Sequence, residues 1–365
     1  MFDNCYSGKT VLVTGHTGFK GSWLTAWLLR LGARVIGLSD VVPTTPALFD
    51  LLGLSSQIVD IRADVRDLEA VRRAIAEHRP DFVFHLAAQP LVSVAYADPV
   101  STYTTNVVGT LAVLEALRGA DWPCVAVMIT SDKCYDNVEW TWGYRENDAL
   151  GGKDVYSGSK GAAELVIKSM FHSFFAGGKS AVRIGVGRAG NVIGGGDWAK
   201  DRIVVDAVKS WAGHGPVSIR SPNATRPWQH VLEPLSGYLA LGQSLAGDHS
   251  PSGEAYNFGP SGEQNRSVAD LLKELFAHWG ERPGFEPYLV QGQSMKEAGL
   301  LKLNCDKALH FLKWTPTLAF AETAELTAQW YYGVTVGGAE PVALTAEHLD
   351  RYLTLAAARQ KPWIA

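Results

Sequence analysis

Two short stretches of this 365-residue sequence carry side chains whose types and spacing could do chemistry together. The first is Ser131-Asp132-Lys133, with a hydroxyl, a carboxyl and an amine in succession, and the second is Tyr156-x-x-x-Lys160. Residues four apart share one helix face, and an ammonium beside a phenol stabilises the phenolate, so the second stretch predicts a tyrosine base with a lowered pKa. An added acid and amine could move protons at a neighbouring carbon. Together the two stretches indicate removal of water from a sugar rather than oxidation alone.

Each of these side chains also has a purely structural interpretation. Y-x-x-x-K is short enough to occur by chance, Asp132-Lys133 can be a solvated ion pair in a loop, and Ser131 can cap a strand end. Chemistry requires special environments, because an amine base must be neutral and an acidic carboxyl must have a raised pKa. Adjacent groups of this kind titrate jointly, so their individual roles stay open at this point.

Apolar, β-rich runs alternate with amphipathic helical patterns over the first half of the chain. The predicted strands are residues 10–14, 34–40, 57–61, 81–86, 125–131 and 181–186. The predicted helices are residues 22–31, 67–79, 102–117, 155–175 and 345–359. This alternation predicts an α/β fold, a Rossmann-type doubly wound parallel sheet whose ligands bind beyond the carboxyl ends of its strands.

After Arg188 glycines and prolines interrupt the alternation, which predicts a smaller C-terminal substrate-binding lobe. We expect an NAD-binding Rossmann domain formed by residues 1–190 and 229–257. The substrate-binding lobe is expected to comprise residues 191–228 and 258–335. The role of the tail, residues 336–365, cannot be read from its sequence.

Bulk composition narrows the class of protein. Hydrophobic residues make up 47% of the chain, which excludes general disorder, and the net charge of −4 argues against a nucleic-acid or anionic-membrane surface. The four cysteines form no C-x-x-C pair, the N-terminus does not resemble a signal peptide, and no apolar run is long enough to span a bilayer. These features predict a reduced, cytoplasmic protein, and we expect no metal.

The glycines Gly15, Gly18 and Gly21 lie between the first predicted strand and helix. Such a turn lets the backbone approach a pyrophosphate while the helix N-terminus offers free N–H groups, although glycine is common in strand-to-helix turns for steric reasons alone. Asp40 ends the second strand, where a carboxylate would bond the adenosine ribose, and residues 41–45 supply no cation for a 2′-phosphate. We therefore predict NAD rather than NADP, unless Asp40 is an ordinary solvent-facing residue.

Further cofactor contacts are expected along the same edge of the sheet. Asp64 and Val65 follow the third strand and would flank the adenine, whereas Asn106 could equally be a capping or core residue. The other expected cofactor contacts are Thr17, Phe19, Lys20, Leu86, Ala87, Ala88, Gln89, Tyr156 and Lys160.

Several longer stretches resemble the extended short-chain dehydrogenases/reductases, and among them the CDP-glucose 4,6-dehydratases. The resemblance covers most of residues 8–320. Asp132-Lys133 is its discriminating feature, since other sugar-nucleotide 4,6-dehydratases usually carry Asp-Glu there. Val155 replaces a proline that usually precedes the tyrosine, and the region after Gly333 matches less clearly. The matching stretches are residues 15–24, 43–49, 130–137, 143–146, 156–160, 188–198 and 226–230.

The resemblance implies a reaction that converts CDP-glucose to CDP-4-keto-6-deoxy-glucose and water, as in deoxysugar biosynthesis of the O-antigen type. Tyr156 would take the C4 hydroxyl proton while NAD receives the C4 hydride, and Ser131 would bond the C4 oxygen. Asp132 would be the acid for the C6 hydroxyl and Lys133 the base for the C5 proton, before hydride returns to C6. A homodimer through helices 102–117 and 155–175 is also implied.

Substrate contacts are harder to predict. Asn191, Arg202 and Arg226 are candidates for the diphosphate, because arginine offers paired donors to phosphate oxygens. Arg188 is left out because it could pair with an internal carboxylate. Trp198 could pack against sugar or base, or lie in the core, as could the tryptophan at 228.

Other functions stay open. No residue separates cytosine from other bases by physical argument, so CDP follows from the resemblance alone. A dehydratase for another nucleotide sugar is one alternative, and a 4-epimerase, which needs only Ser131, Tyr156 and Lys160, is another. A non-catalytic NAD-binding sensor or scaffold is the alternative of a different class, although such proteins typically lose the tyrosine or the lysine.

Overall fold

The computed structural model describes residues 1–178, 180–247, 251–280, 285–291 and 300–365. The remaining residues of the predicted domains lie outside the described residues. The strands are β1 Thr10–Thr14, β2 Arg34–Ser39, β3 Val59–Arg62, β4 Phe82–His85, β5 Cys124–Ile129, β6 Val182–Ala189, β7 Val192–Ile193, β8 Val217–Ile219, β9 Thr225–Arg226, β10 Gln229–His230, β11 Ala255–Phe258, β12 Arg266–Ser267 and β13 Tyr288–Val290.

The helices of the described residues alternate with these strands over the first half of the chain. They are α1 Phe19–Arg30, α2 Leu48–Leu51, α3 Leu68–His78, α4 Val92–Ala97, α5 Pro99–Tyr103, α6 Gly109–Arg118, α7 Val155–Met170, α8 Ile203–Ala212, α9 Leu232–Ala246, α10 Val268–Ala277, α11 Asp306–Leu312, α12 Phe320–Thr335 and α13 Pro341–Ala358.

Seven strands form one sheet in the order β11-β6-β5-β4-β1-β2-β3, and every pair in it is parallel. The chain runs outward from β1 to β3 and then returns to β4 on the other side of β1. Strand order therefore reverses between β1 and β4, which is where such sheets bind ligands. The prediction of a doubly wound parallel sheet is confirmed.

Alternation along each strand divides the core into two layers. In β1, Val11 and Val13 belong to one buried cluster and Leu12 to the other, and β4 repeats the pattern with Phe84 and Val83. Successive strand side chains point to opposite faces, so helices must cover both faces of the sheet. The short strands outside the large sheet pair as β10-β7, β12-β9 and β13-β8.

The ends of α3 show how local chemistry fixes an element. The Asp67 side chain accepts the backbone N–H groups of Glu69 and Ala70 at 3.1 Å, and Arg79 ends the helix in a left-handed conformation. An N-terminal carboxylate of this kind stabilises a helix by about 1 kcal/mol. Both boundaries therefore agree with the predicted helix 67–79.

The C-terminal tail is fastened to the body of the protein by the buried carboxylate of Glu233 on α9. Both carboxylate oxygens accept the backbone N–H of Thr317 at 2.9 Å, and Oε2 accepts the hydroxyl of Tyr352 on α13 at 3.1 Å. Beyond α13, Trp363 stacks on Phe2 with ring centroids 5.3 Å apart. The tail is thus part of the core rather than an appendage.

The burial of Glu233 predicts a pH dependence of the free energy of unfolding. Burial raises the pKa of this carboxyl from 4.5 to about 7. Between these values the folded chain binds more protons than the unfolded chain, so the contribution of Glu233 to stability is full below pH 4.5 and is lost as the pH rises to about 7. The expected loss is about 3 kcal/mol.

Urea unfolding of the wild type and of Glu233→Gln across this pH range checks the prediction, because glutamine cannot titrate. The variant is expected to be less stable and to lack this part of the pH slope. Equal slopes for the two proteins would contradict it.

Candidate active site

The Ser131-Asp132-Lys133 segment lies directly beyond the carboxyl end of β5. Asp132 begins a short 3₁₀ turn, and the Ser131 hydroxyl caps that turn by accepting the backbone N–H of Lys133 at 3.2 Å. The same hydroxyl donates to Oδ1 of Asp132 at 2.9 Å, while Lys133 Nζ lies 3.7 Å from Oδ2. The predicted hydroxyl, acid and amine are therefore mutual neighbours.

The Asp132 carboxyl is shielded from water. Its residue is only 2% exposed, Oδ2 has no hydrogen-bond partner among the described residues, and a Cβ on Gly190 would lie 3.2 Å from that oxygen. The Lys133 side chain is 29% exposed. A solvated ion pair is therefore the wrong interpretation of Asp132, because its carboxyl is buried.

Tyr156 and Lys160 lie in the first two turns of α7. Asp154 caps this helix by accepting the backbone N–H of Ser157 at 3.0 Å, and Lys160 Nζ lies 5.9 Å from the centroid of the Tyr156 ring. The predicted juxtaposition of the phenol and the ammonium is therefore present.

The predicted lowering of the tyrosine's pKa by Lys160 is wrong. Burial raises the pKa of Tyr156 to about 12, and the positive charge of Arg202 is the largest influence that lowers it. Burial also lowers the pKa of Lys160 to about 8. The sequence could not reveal this, because Arg202 approaches from a distant part of the chain.

A buried ion pair between Arg188 and Glu164 lies next to the catalytic segment and is hydrogen-bonded to the residue before it. Arg188 donates from Nε and a terminal nitrogen to the two oxygens of Glu164, at 2.8 and 2.9 Å, and both side chains are 4% exposed. Thr130, the residue before the reacting segment, donates its hydroxyl to Glu164, which lies one helical turn beyond Lys160. The expectation that Arg188 pairs with an internal carboxylate is confirmed.

The glycine loop offers the space that a dinucleotide needs. Gly15 has φ +73°, and a Cβ there would lie 2.7 Å from the backbone nitrogen of Ala87. A Cβ on Gly21 would lie 2.1 Å from the carbonyl oxygen of Gly15. Gly18 is the N-cap of α1 and provides no side-chain cap, which leaves the helix N-terminus available to an anion.

At the adenosine side, β2 ends in the exposed carboxylate of Asp40. Arg66, a cation that sequence reasoning missed, lies near Asp40 but is held by Asp64, which accepts Nε at 2.9 Å. The Thr17 hydroxyl donates to the carbonyl oxygen of Val41 at 2.7 Å and thereby fixes the end of β2. An exposed carboxylate, whose Oδ1 accepts the backbone N–H of Val41 at 2.8 Å, beside an arginine that is paired with Asp64 fits NAD.

Asn106 fixes the loop after β4 through hydrogen bonds to the backbone of Gln89. The Asn106 amide accepts the backbone N–H of Gln89 at 2.8 Å and donates to its carbonyl at 3.2 Å and to Ser159 Oγ at 2.9 Å. Asn106 lies in a π-helical turn, Thr104–Val108, that interrupts the predicted helix 102–117. Val65 packs against α6 at Gly109. Contact of the loop residues Leu86, Ala87, Ala88 and Gln89 with the cofactor stays a prediction.

His16 and Lys20, in and beside the glycine loop, have contacts that the sequence did not indicate. The ring of His16 is buried, with Nε2 2.9 Å from an oxygen of Asp60. Lys20 reaches from the first turn of α1 to within 5.9 Å of the Tyr238 ring centroid. Burial and the charge of Lys160 lower the pKa of Lys20 to about 8. Phe19, the first residue of α1, would lie 3.3 Å from a Cβ on the glycine at 194.

The three predicted diphosphate contacts come from three separate segments of the chain. Asn191 follows β6 closely, next to the glycine that faces Asp132. Arg202 begins α8 with Nε 3.9 Å from Asp197, and its charge acts on Tyr156. Arg226 lies in β9, and the proline that follows it lies 3.5 Å from a Cβ built on the same glycine. All three stay predictions.

Both candidate tryptophans, Trp198 and Trp228, are buried in the large hydrophobic cluster, so their core interpretation is confirmed. Within the described residues, no group of three or more histidine, cysteine, aspartate or glutamate side chains could hold a metal ion. No helix of the described part of the chain is long and apolar enough to cross a membrane.

Gly15→Ala is expected to weaken NAD binding by about ten- to a hundredfold. A side chain at φ +73° costs about 1–3 kcal/mol, and the new Cβ would push the loop away from Ala87. Calorimetric titration with NAD measures the effect. Gly8→Ala is the matched control, because its φ of +70° carries the same backbone cost outside the glycine loop and nothing lies within 4 Å of its Cβ. Equal losses in both variants would refute the prediction.

Comparisons with known proteins define the class of this site. The profile of the family described as GDP-mannose 4,6 dehydratase matches residues 12–327. A CDP-glucose 4,6-dehydratase of Salmonella typhimurium is 46% identical over 333 residues, which are 90% of this chain and 92% of that protein. Because both matches span most of the chain, the chain belongs to the GDP-mannose 4,6-dehydratase family. The prediction of a dehydratase of this superfamily is confirmed.

Solved structures share the fold. A dTDP-glucose 4,6-dehydratase of Bacillus anthracis in complex with NAD is 20% identical and aligns with a TM-score of 0.71, over 89% of this chain and 96% of that one. A UDP-glucuronic acid 4-epimerase of Bacillus cereus in complex with UDP-glucuronic acid and NAD is 22% identical, with a TM-score of 0.76 over 89% and 99%. The predicted cofactor agrees with these two complexes.

Proposed function

We propose that this chain is an NAD-dependent CDP-glucose 4,6-dehydratase, which forms CDP-4-keto-6-deoxy-glucose and water. The observation that carries the proposal is the buried Asp132 carboxyl beside Lys133 and Tyr156, a set that an epimerase or a binding protein does not need. The choice of cytidine follows from the relative that is 46% identical.

The residues divide the reaction between them. The glycine loop would hold NAD, which would supply hydride acceptance from C4 and hydride return to C6. Tyr156 takes the proton of the C4 hydroxyl, and Ser131 bonds the C4 oxygen. Lys133 takes the C5 proton, which the C4 ketone has made acidic, and Asp132 protonates the leaving C6 hydroxyl. Burial around Asp132 keeps water from the reactive intermediate.

The predicted division of labour along the chain is part of this proposal. Residues 1–190 and 229–257 bind NAD, and residues 191–228 and 258–335 bind the nucleotide sugar, with contacts from Asn191, Arg202 and Arg226. The chain acts in the cytoplasm, in deoxysugar biosynthesis of the O-antigen type.

A homodimer through α5, α6 and α7 also belongs to the proposal. These helices and the turns beside them present apolar side chains to solvent, which isolated monomers rarely do over a continuous patch. The exposed side chains are Val100, Val108, Leu111, Leu165 and Phe174. Light scattering after size exclusion should give twice the chain mass of 39.5 kDa. A monomer mass would overturn the dimer without affecting the proposed activity.

The test of function is mass spectrometry of the products after the NAD-loaded protein has been incubated separately with CDP-, UDP-, dTDP- and GDP-glucose. Loss of one water from CDP-glucose in preference to the others supports the proposal. Loss of water only from another donor would move the assignment to that nucleotide. Unchanged mass with every donor would reject a dehydratase and direct NMR to epimerised products.

A further inference from the structure

The short turn that carries Asp132 and Lys133 ends at a tyrosine that the proposed reaction does not use. Tyr135 is the C-cap of this 3₁₀ turn, and its backbone N–H donates to the carbonyl oxygen of Asp132 at 3.4 Å. The tyrosine is buried, with only 1% of its surface exposed. The placement of the acid and the amine therefore depends on the contacts that fix this tyrosine.

Two neighbouring strands of the large sheet fix the Tyr135 hydroxyl. The hydroxyl accepts a hydrogen bond from Nη1 of Arg188 on β6 at 2.7 Å and donates one to Oδ1 of Asn257 on β11 at 2.8 Å. Arg188 and Asn257 are direct partners in the register of these two strands. Because the hydroxyl both accepts and donates, the tyrosine cannot move without leaving a buried polar group unpaired, which is costly.

Asn257 joins this hydroxyl to two further segments of the chain. Its buried side-chain amide donates to the carbonyl oxygens of Tyr144 at 2.9 Å and of Asn304 at 3.0 Å. Asn304 belongs to residues 258–335, which are part of the proposed substrate-binding lobe. The catalytic turn is thus connected, through Tyr135 and Asn257, to the part of the chain that is proposed to hold the sugar.

The residues proposed for oxidation at C4, Tyr156 and Lys160, are fixed through different atoms. They lie on α7, which also carries Glu164. Arg188 binds Glu164 through Nε and Nη2 at 2.8 and 2.9 Å, whereas it binds the tyrosine hydroxyl through Nη1. Removing the hydroxyl of Tyr135 therefore leaves both bonds between β6 and α7 in place.

We propose that Tyr135 is a positioning residue for the elimination step, which holds the turn that carries Asp132 and Lys133 against C6 and C5 of the sugar. This inference rests on the proposed dehydratase activity. A displacement of about 1 Å at a reacting group can lower a rate by about a hundredfold. Loss of the Tyr135 hydroxyl should therefore slow the removal of water and leave oxidation at C4 unchanged.

Tyr135→Phe tests the proposal, because it removes the hydroxyl and keeps the ring. The NAD-loaded protein is mixed rapidly with CDP-glucose, and the near-ultraviolet absorbance of the reduced cofactor is followed. The rise of this absorbance measures C4 oxidation, and its decay measures hydride return to C6, which must wait for the loss of water. The rise should keep the wild-type rate, and the decay should be slower by about ten- to a hundredfold. Neither first-order rate depends on the fraction of the protein that is folded.

Tyr6→Phe is the matched control. It also removes a buried tyrosine hydroxyl, which donates to the carbonyl oxygen of Leu239 at 2.6 Å, and it should leave the rise and the decay at their wild-type rates. Equal slowing of rise and decay in Tyr135→Phe, or no change in either, would overturn the proposal. A decay slowed to the same extent in Tyr6→Phe would overturn it as well. Absence of product with the wild type would instead reject the proposed function on which the inference rests.

Discussion

Replacement of Lys133 by alanine is expected to abolish the loss of water while oxidation at C4 still occurs. Lys133 Nζ lies 3.7 Å from Asp132 and is the amine proposed to take the C5 proton, whereas Tyr156, the proposed base for the C4 hydroxyl, stays in place. Loss of a positioned base lowers a rate by about a hundred- to ten-thousandfold. The near-ultraviolet absorbance of the reduced cofactor should therefore persist after substrate is added, with no dehydrated product.

Lys133→Arg separates the chemical role of this amine from its charge. Arginine keeps a cation beside Asp132, but it does not lose its proton in proteins and cannot act as a base. We expect it to be as defective in elimination as the alanine variant. If Lys133→Arg retained near-normal turnover, the amine would act only through its charge and the assignment of the base would fail.

Arg188→Met is expected to lower the free energy of unfolding by about 3–5 kcal/mol. The substitution leaves the carboxylate of Glu164, which is 4% exposed, without its bidentate partner at 2.8 and 2.9 Å. An unpaired buried charge costs far more than a lost surface contact. Urea unfolding measures the change. Weakened activity is a second expected result, because Thr130, which directly precedes the catalytic segment, donates its hydroxyl to Glu164.

Two controls test the cause of that loss. Combining Arg188→Met with Glu164→Gln removes the uncompensated charge and should restore part of the stability. Arg72→Met removes two surface ion pairs, with Glu69 and Glu115, and should cost about 1 kcal/mol or less. Equal losses for Arg188→Met and Arg72→Met, or no recovery in the double variant, would show that the ion pair does not control stability.

Local sequence signals predicted the elements that position the site. The run at residues 10–14 became β1 with both boundaries as expected, since apolar β-branched residues fit a buried parallel strand. The catalytic segment also lies where the alternation of strands and helices required, beyond the end of β5. These features depend on contacts between near neighbours, which a sequence displays directly.

Long-range effects could not be predicted in the same way. The sequence suggests that Lys160 lowers the pKa of Tyr156, but the burial of the phenol has the larger effect and Arg202 acts from α8. Arg66 beside Asp40 is a similar case, because the two residues lie on different strand ends. Such effects arise only when distant segments pack together.

The C-terminal tail shows the same limit. Its helix was predicted from local periodicity, but its attachment to Glu233 joins residues 119 positions apart, through Tyr352. No local sequence pattern shows that the Glu233 carboxylate will be buried and will accept backbone N–H groups and a hydroxyl. The structural role of the tail could therefore be identified only from the folded chain.

The most direct test of the proposed function uses CDP-glucose that carries deuterium at C4. The expected product is lighter by one ordinary water and retains the deuterium, now at C6, because hydride leaves C4 and returns within the same closed site. Mass spectrometry gives the loss of water, and NMR locates the label. A product of unchanged mass with deuterium still at C4, or a dehydrated product without deuterium, would contradict it.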